Sequence, residues 1–448
     1  MADANSNLNS SPQAEGIRFL VRALRHRNYR LFFGGQSVSL IGTWMTRIAT
    51  SWLVYRLTGS AMLLGLVGFA GQLPTFLLAP FAGVWVDRLN RHRVLVVTQV
   101  LAMLQSFALA VLALSGRITA WEILWLNAFQ GLINAFDMPA RQAFVVEMVT
   151  DRSDLSNAIA LNSSMVNMAR LVGPSIAGVI IAALGEGYCF LIDGFSYLAV
   201  IASLLLMQLA AVAPVGRGKN VLADLKEGWQ YVAGFAPVRD VLLLLCLASL
   251  MGMPYMVLMP IFAGQILHGG PHTLGFLMGA TGVGALTGAV LLAARRSVVG
   301  LGRVIPLAAA AFGAGLIGFA LSRWLWLSFV LMFVVGLGMM QQMASSNTIL
   351  QTISPDDKRG RVMSYYTVAI VGMMPFGSLL SGWLASRIGA PSAVAIGGAC
   401  CLAGAGLFAL RLGRIRELVH PIYVRLGIVP EIAEGLNSAA VLSSVPEE

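Results

Sequence analysis

The sequence predicts an all-α membrane protein with twelve transmembrane helices in two halves of six, and with both termini in the cytoplasm. Of its 448 residues, 57% are hydrophobic and only 11% are charged. One soluble core of this length cannot bury so much apolar surface, so a lipid bilayer is the expected solvent. Apolar runs of about 20 residues, enough to cross a hydrocarbon layer of about 30 Å, recur along the whole chain.

The predicted spans form two groups of six on either side of a polar stretch at 213–238. The N-terminal half covers 30–212 and the C-terminal half covers 239–411, with cytoplasmic segments at 1–29 and 412–448. In order, the predicted spans are 30–56, 61–84, 93–115, 119–141, 157–184, 188–210, 239–265, 272–294, 303–322, 324–348, 362–385 and 391–411.

The distribution of positive charge sets the orientation of these spans. Most of the 30 lysines and arginines lie in the N-terminal segment, in alternate connections and in the C-terminal tail. Basic residues collect on the cytoplasmic side of membrane proteins, which places both termini inside. The same bias explains the net charge of +10, so no nucleic-acid partner is needed.

The connection between the halves carries its own pattern. Apolar residues recur there at helical spacing from Val221 to Val232, which predicts a short helix at the cytoplasmic membrane surface. The two halves also share residue types at positions 204 apart: Val149 and Ile353, Thr150 and Ser354, Gly173 and Gly377, Gly178 and Gly382. Two parallel six-helix repeats with a binding site between them are typical of transporters.

The connection after the second span reads GVWVDRLNRHRVL, residues 83–95. It resembles the loop signature of the major facilitator superfamily, G-x-x-x-D-R-x-G-R-K-x-x-L, with Asn90 in place of the second glycine. Asparagine adopts left-handed backbone angles more readily than most residues, which makes this departure tolerable. The matching positions are Gly83, Asp87, Arg88, Arg91 and Leu95.

Further stretches resemble the branch of this superfamily that contains enterobactin exporters and related drug efflux proteins. They are FDMPARQAFVVEMV (136–149), LSNAIALNSS (155–164), ARLVGPSIAG (169–178) and RGRVMS (359–364). Within the third of these, Gly173 and Pro174 belong to a pattern similar to the fifth-span motif that accompanies export in the family. The resemblance implies the major facilitator fold and an efflux function.

The resemblance implies that the charges in the loop at 83–95 form a cytoplasmic gate. Asp87 can accept backbone N–H groups at a helix start, where the helix dipole favours an anion, and the family places the eleventh span there. Arg88 or Arg91 can then pair with Asp137 at the inner end of the fourth span. The alternative is that these arginines only satisfy the charge bias of cytoplasmic loops.

Polar residues inside the spans mark the candidate substrate and proton pathway, because ionisable groups at membrane depth are costly. At about 100° per residue, Thr43 and Arg47 share one face of the first span with other polar residues. The fourth and fifth spans carry similar stripes: Gln130, Asn134, Asp137 and Arg141, then Asn167 and Arg170.

Each of these charges has a competing interpretation. Arg47 contacts substrate or pairs with another helix, and Arg170 has a functional role or extends toward lipid head groups. Asp137 is a proton carrier, a gate partner or both. Asp193 is expected to be an exposed carboxylate near the outer end of the sixth span.

The C-terminal half replaces these charges with neutral groups. Gln341 stands where the repeat would place Asp137, and many methionines lie nearby together with Tyr365. Methionine adapts to varied apolar partners, which favours a permissive binding wall, although packing is the alternative. Pro254 and Pro260 are expected to interrupt the seventh span.

No G-x-x-x-x-G-K-[ST] phosphate loop and no H-E-x-x-H motif occurs, so we expect neither an enzyme nor a cofactor or metal site. The sequence therefore predicts a secondary-active efflux transporter of the bacterial inner membrane, acting as a monomer in the lipid bilayer. It would export amphiphilic small molecules, with protons as the exchanged partner. The alternatives are an exporter of an anionic siderophore or similar metabolite, and a non-transporting receptor or scaffold.

Overall fold

The computed structural model describes residues 22–149, 151–208, 221–295 and 297–428, and all regular secondary structure within these ranges is helical. The long helical segments are α1 (Arg27–Thr58), α2 (Ala61–Arg88), α3 (Arg91–Leu114), α4 (Ala120–Met148), α5 (Leu155–Leu184), α6 (Glu186–Leu205), α7 (Val221–Gly234), α8 (Ala236–Ile266), α9 (Pro271–Ala293), α10 (Leu301–Leu321), α11 (Leu325–Ile353), α12 (Asp356–Ile388) and α13 (Ala390–Arg425).

Within the described residues, ten of these segments are long and apolar enough to cross a membrane, so the chain is a multi-pass membrane protein. The long helices outside that set, α1 and α4, are the ones that carry the polar stripes around Arg47 and Asp137. The short helix predicted between the halves is present as α7.

Local capping explains how short connections join the first helices. Gly59 ends α1 with a φ of 59°, a left-handed conformation that glycine adopts without strain. The Ser60 hydroxyl accepts the Leu63 N–H at 3.3 Å and starts α2. Asn90 starts α3 by accepting the Arg93 N–H at 3.1 Å.

Asn90 has a φ of −71°, so the expected left-handed backbone at this position is wrong. The side-chain oxygen of Asn90 instead caps the start of α3. A glycine at this position has no side chain with which to make that hydrogen bond.

Several helices extend beyond the predicted spans. Among them, α4 ends at Met148, α11 at Ile353 and α13 at Arg425. The extensions keep burying side chains such as Phe144 and Val419, so tertiary packing continues each helix beyond its apolar run.

The helices pack in two groups with parallel patterns. In the first group α2 packs on α4 and α6 packs on both α1 and α3; in the second, α9 packs on α11 and α10 packs on α13. The groups meet where α5 contacts α9 and where α2 contacts α12.

Glycines make these contacts between the groups very close. A Cβ on Gly65 would lie 2.6 Å from the Ser378 carbonyl oxygen, and a Cβ on Gly178 would lie 3.1 Å from Gly275 Cα. All of these positions lie near the end of the bundle where α1 gives way to α2, which we call the first-loop end. The small residues let the backbones touch there.

The helices α8 and α12 are interrupted by π-helical turns. In α8 the turns span Ala248–Gly252 and Phe262–Ile266, next to Pro254 and Pro260, as the prolines predicted. In α12 the turn spans Val368–Gly372. Such turns are frequent at functional sites, and both helices contribute to the cavity described next.

Candidate functional site

A cavity of about 210 Å³ lies between the two groups of helices. Its polar lining comes almost entirely from the N-terminal half, and includes the predicted residues Thr43, Arg47, Gln130 and Asn134. Its C-terminal wall is largely apolar and contains four methionines: Met253, Met256, Met278 and Met374. The cavity can therefore hold a molecule with one polar and one apolar side.

Arg47 lies near the middle of α1 and its side chain is exposed to this cavity. Its guanidinium stacks over the Trp44 ring at 4.7 Å from the centroid, and that of Arg170 lies 5.3 Å from the same centroid. Neither arginine forms an ion pair with a described carboxylate. Two cations on one aromatic ring, without a counter-ion, form a region that attracts negative charge.

Asp137 is buried on α4, with a side chain that pairs with Arg141 on the next turn. It also accepts hydrogen bonds from Thr98 Oγ1 at 2.9 Å and Gln99 Nε2 at 2.7 Å. The pairing of Asp137 with Arg88 or Arg91, predicted for one state of the transport cycle, is not formed between the described groups in this conformation. Arg141 pairs with Asp137 instead, because residues four apart lie on the same face of a helix.

The two arginines of the loop signature, Arg88 and Arg91, lie in different surroundings. Arg88 is exposed at the end of α2, and Arg91 pairs with Glu147 at 2.7 Å. Gly83 has open space at its Cβ position. The side chain of Asp87 lies outside the described part of the structure, so its expected contact with the α12 start stays a prediction.

Four of the predicted pathway residues do not line the cavity: Arg170, which lies behind Trp44, and Asn167, Gln341 and Tyr365. Gln341 is buried and donates to the Gly288 carbonyl at 2.8 Å, which ties α11 to α9. Tyr365 stacks on Trp229 of α7 with ring centroids 6.0 Å apart. Asn167 donates to the Ser163 carbonyl one turn earlier on α5 at 3.0 Å.

The charge that sequence reasoning missed is Asp193. It was expected to be exposed, but it is 1% exposed and lines the cavity. The expectation is wrong because α6 begins at Glu186 and places Asp193 seven residues inside the helix, about 10 Å along its axis. The available signal was an aspartate within an apolar run, which is a functional candidate by default.

The fifth-span motif brings α5 against α1. A Cβ on Gly173 would lie 2.6 Å from Trp44 Cβ and 3.0 Å from the Ile41 carbonyl oxygen. Pro174 follows it and is buried. Gly173 therefore lets α5 approach α1 closely at Trp44, the residue that lies between Arg170 and the cavity.

A charged network joins the start of the chain to the connection before α5. Asp154 is fully buried and pairs with Arg22, with Arg25 at 2.7 Å and with His26 at 2.9 Å. Nearby Asp151 accepts the Ser153 backbone N–H at 2.9 Å, which holds the pKa of its carboxyl below the usual value. This network fixes the end of the bundle opposite the first-loop end.

Comparison with known proteins identifies the class. The transmembrane secretion effector family matches residues 21–420. The chain is similar to the staphyloferrin A transporter of Staphylococcus aureus, with 26% identity over 80% of this chain and 90% of that protein. It is also similar to the multidrug efflux pump Tap of Mycolicibacterium fortuitum, with 28% identity over 84% of this chain and 93% of that protein.

The fold is shared with solved transporters. A bacterial homologue of the human lysosomal transporter Spinster, in an inward-facing and unoccupied conformation, has a TM-score of 0.63 at 13% identity, covering 93% of this chain and 99% of that one. The fold and the central cavity agree with the class that the matching family defines, a membrane transporter for small molecules. The chain belongs to the transmembrane secretion effector family of the major facilitator superfamily, and it is an efflux transporter, as its motifs predicted.

Proposed function

We propose that this chain exports amphiphilic small molecules by alternating access and takes up protons in exchange. It acts as a monomer in the inner membrane of a bacterium, with twelve crossings in two halves (30–212 and 239–411) and both termini in the cytoplasm. The observation that carries the proposal is the two-sided cavity, in which Arg47 and Asp193 face a wall of methionines. Polar groups orient a bound molecule, and methionines adapt to its apolar part.

Alternating access is supported by the way in which the halves meet. Glycine contacts such as Gly65 with Gly382 close the first-loop end, which the charge bias places outside the cell. No ion pair or side-chain hydrogen bond between described residues joins 22–208 to 221–428. Among the described residues the halves meet through apolar and backbone contacts, which permits them to tilt. A closed first-loop end is the arrangement expected of a conformation open toward the cytoplasm.

The loop signature then acts as the cytoplasmic gate. The ion pair of Arg91 with Glu147 and the hydrogen bonds from Thr98 and Gln99 to Asp137 hold the inner ends of α3 and α4 together. In the outward-facing state Asp87 and Arg88 would engage the start of α12. The connection at 213–238, with α7 lying at the membrane surface, links the halves and contacts α12 through Trp229 and Tyr365.

A second candidate substrate class is an anionic chelator of the siderophore type. The observation that favours it is the pair of arginines on Trp44, neither of which forms an ion pair with a described carboxylate. Similarity to a staphyloferrin A transporter points the same way. In that case Arg47 would bind the anionic groups of the substrate directly.

The test is efflux from bacterial cells that express the chain and lack their own broad-range pumps. Ethidium, a macrolide and a catecholate siderophore are loaded separately, and efflux is followed with and without a protonophore. Efflux of several unrelated amphiphiles that stops with the protonophore supports the first proposal. Export of the siderophore alone supports the second, and no export above the empty-vector control contradicts both.

A further inference from the structure

Asp193 occupies a closely packed position where α6 meets α1 and α3. Gly42 of α1 faces it, and a Cβ on this glycine would lie 2.6 Å from Asp193 Oδ1 and 2.7 Å from Ser196 Oγ. The absence of a side chain at Gly42 is therefore what makes room for the carboxyl group. Asp193 is also one of the residues that line the central cavity, where 1% of its surface is exposed.

The described hydrogen-bond partners of the Asp193 side chain are all hydroxyl groups. Thr46 and Ser106 donate to Oδ2 at 2.8 and 3.0 Å, and Ser196 lies 3.4 Å from Oδ1. A hydroxyl rotates and can either donate or accept a hydrogen bond. The ionised carboxylate accepts from these groups, and the protonated acid donates to one of them, so both protonation states of Asp193 keep their partners.

The partners of Asp137 include a permanent cation. The guanidinium of Arg141 stays charged and can only donate, and Thr98 and Gln99 also donate to this carboxyl group. The described hydrogen-bond partners of Asp193 include no charged group, so they can serve both of its protonation states.

No described group forms an ion pair with Asp193. On α6 itself Cys189 and Tyr197 are neutral, and Glu186 pairs with Arg56 at 2.8 Å. On α3 no charged residue occurs between 94 and 114, and Gln105 is the other polar neighbour. The charges on the remaining helices packed against α6 at this depth are Arg47 of α1 and Arg170 of α5, which stack on Trp44.

We propose that Asp193, rather than Asp137, is the proton-binding group of this transporter. Binding forms one O–H bond on the carboxylate and removes its charge, and release returns the proton to water in the cavity. The role in coupling rests on the proposed exchange of substrate for protons. Because Asp193 lines the substrate cavity, its charge state changes the electrostatic field at a bound substrate. Proton binding is thereby coupled to substrate binding.

The proton site is tested by infrared spectroscopy on the full chain in lipid nanodiscs, without substrate. The carbonyl stretch of a protonated carboxyl is followed above about pH 5.5, where ordinary Asp and Glu side chains are ionised. We expect a carbonyl band whose intensity falls as the pH rises, both in the wild type and in Asp137→Asn. This band should be missing in Asp193→Asn. A band that persists in Asp193→Asn, or that is lost in Asp137→Asn, overturns the proposal.

A further variant separates this role from a general effect on folding. Ser106→Ala removes one donor to the ionised carboxylate and keeps the carboxyl group itself. The ionised form is then less favoured, so the midpoint of the band should move to higher pH. An unchanged midpoint in a folded Ser106→Ala protein contradicts the assignment of the band to Asp193.

The coupling role is tested separately with ethidium in proteoliposomes. In Asp193→Asn the rate of ethidium exchange with a pH gradient should equal the rate of the same variant at equal pH, whereas the gradient accelerates exchange by the wild type. A wild type without that acceleration overturns the proposed proton exchange, and the infrared band still decides whether Asp193 binds a proton. Acceleration that survives in Asp193→Asn overturns the coupling role of this residue.

Discussion

Arg47 lines the cavity, and its planar guanidinium lies over the Trp44 ring. Its replacement by alanine should lower the initial efflux rate about tenfold or more, the loss expected for one charged contact. Arg47→Lys should recover only part of the rate, because an ammonium is a point charge without the planar fork. The rate is measured with the substrate identified by the efflux panel.

Arg117→Ala is the matched control for Arg47→Ala. Arg117 is exposed in the connection between α3 and α4, so its loss should leave the rate unchanged. Equal rates for wild type and Arg47→Ala would show that this arginine has a packing role alone.

The buried pair of Asp137 and Arg141 makes a second prediction about single residues. Asp137→Ala should destabilise the protein by about 2–4 kcal/mol, because it leaves a partly buried guanidinium without a counter-ion. The double variant Asp137→Ala with Arg141→Ala should be more stable than Asp137→Ala alone. Unfolding in detergent measures both, and additive losses would contradict a direct interaction.

At the scale of whole helices, glycine contacts decide how tightly the first-loop end closes. A Cβ on Gly382 would lie 2.8 Å from both the Ala61 carbonyl oxygen and Gly65 Cα, so Gly382→Ala must push α12 away from α2. The outer end of the bundle should then open more often. A cysteine introduced at Ser51, in a chain whose four native cysteines are replaced, should react faster with an impermeant reagent added outside.

Gly406→Ala provides the control for this experiment. Gly406 also lies within a helix, but a Cβ there would have no atom within 4 Å. Its replacement should leave the labelling rate unchanged. If Gly382→Ala also leaves it unchanged, the glycine contacts do not form the outer seal.

The predicted helices agree well with the structure because long apolar runs report directly on helix position. Helical spacing, which places polar residues on one face of a helix, identified four residues that line the cavity: Thr43, Arg47, Gln130 and Asn134. The depth of Asp193 was missed because it depends on where α6 begins, which is set by its connection to α5. The pairing of Asp137 was missed because a loop motif does not report which of several arginines lies nearest.

For the molecule as a whole, the charge bias predicts the orientation of every connection. A cysteine at Ser115, between α3 and α4, should react with an impermeant maleimide on intact cells. A cysteine at Ser297, between α9 and α10, should react only after the cells are opened. Both positions are exposed in the structure, so a reversed pattern would place the termini outside.

The central claim is outward transport driven by proton uptake, and purified protein in liposomes tests it most directly. Molecules inserted in the inside-out direction are supplied with a substrate from the efflux panel, and its accumulation is measured with the lumen acidic and with the pH equal on both sides. We predict accumulation that requires the acidic lumen and is accompanied by proton efflux from it. Accumulation that is the same under both conditions, with no movement of protons, would contradict the claim.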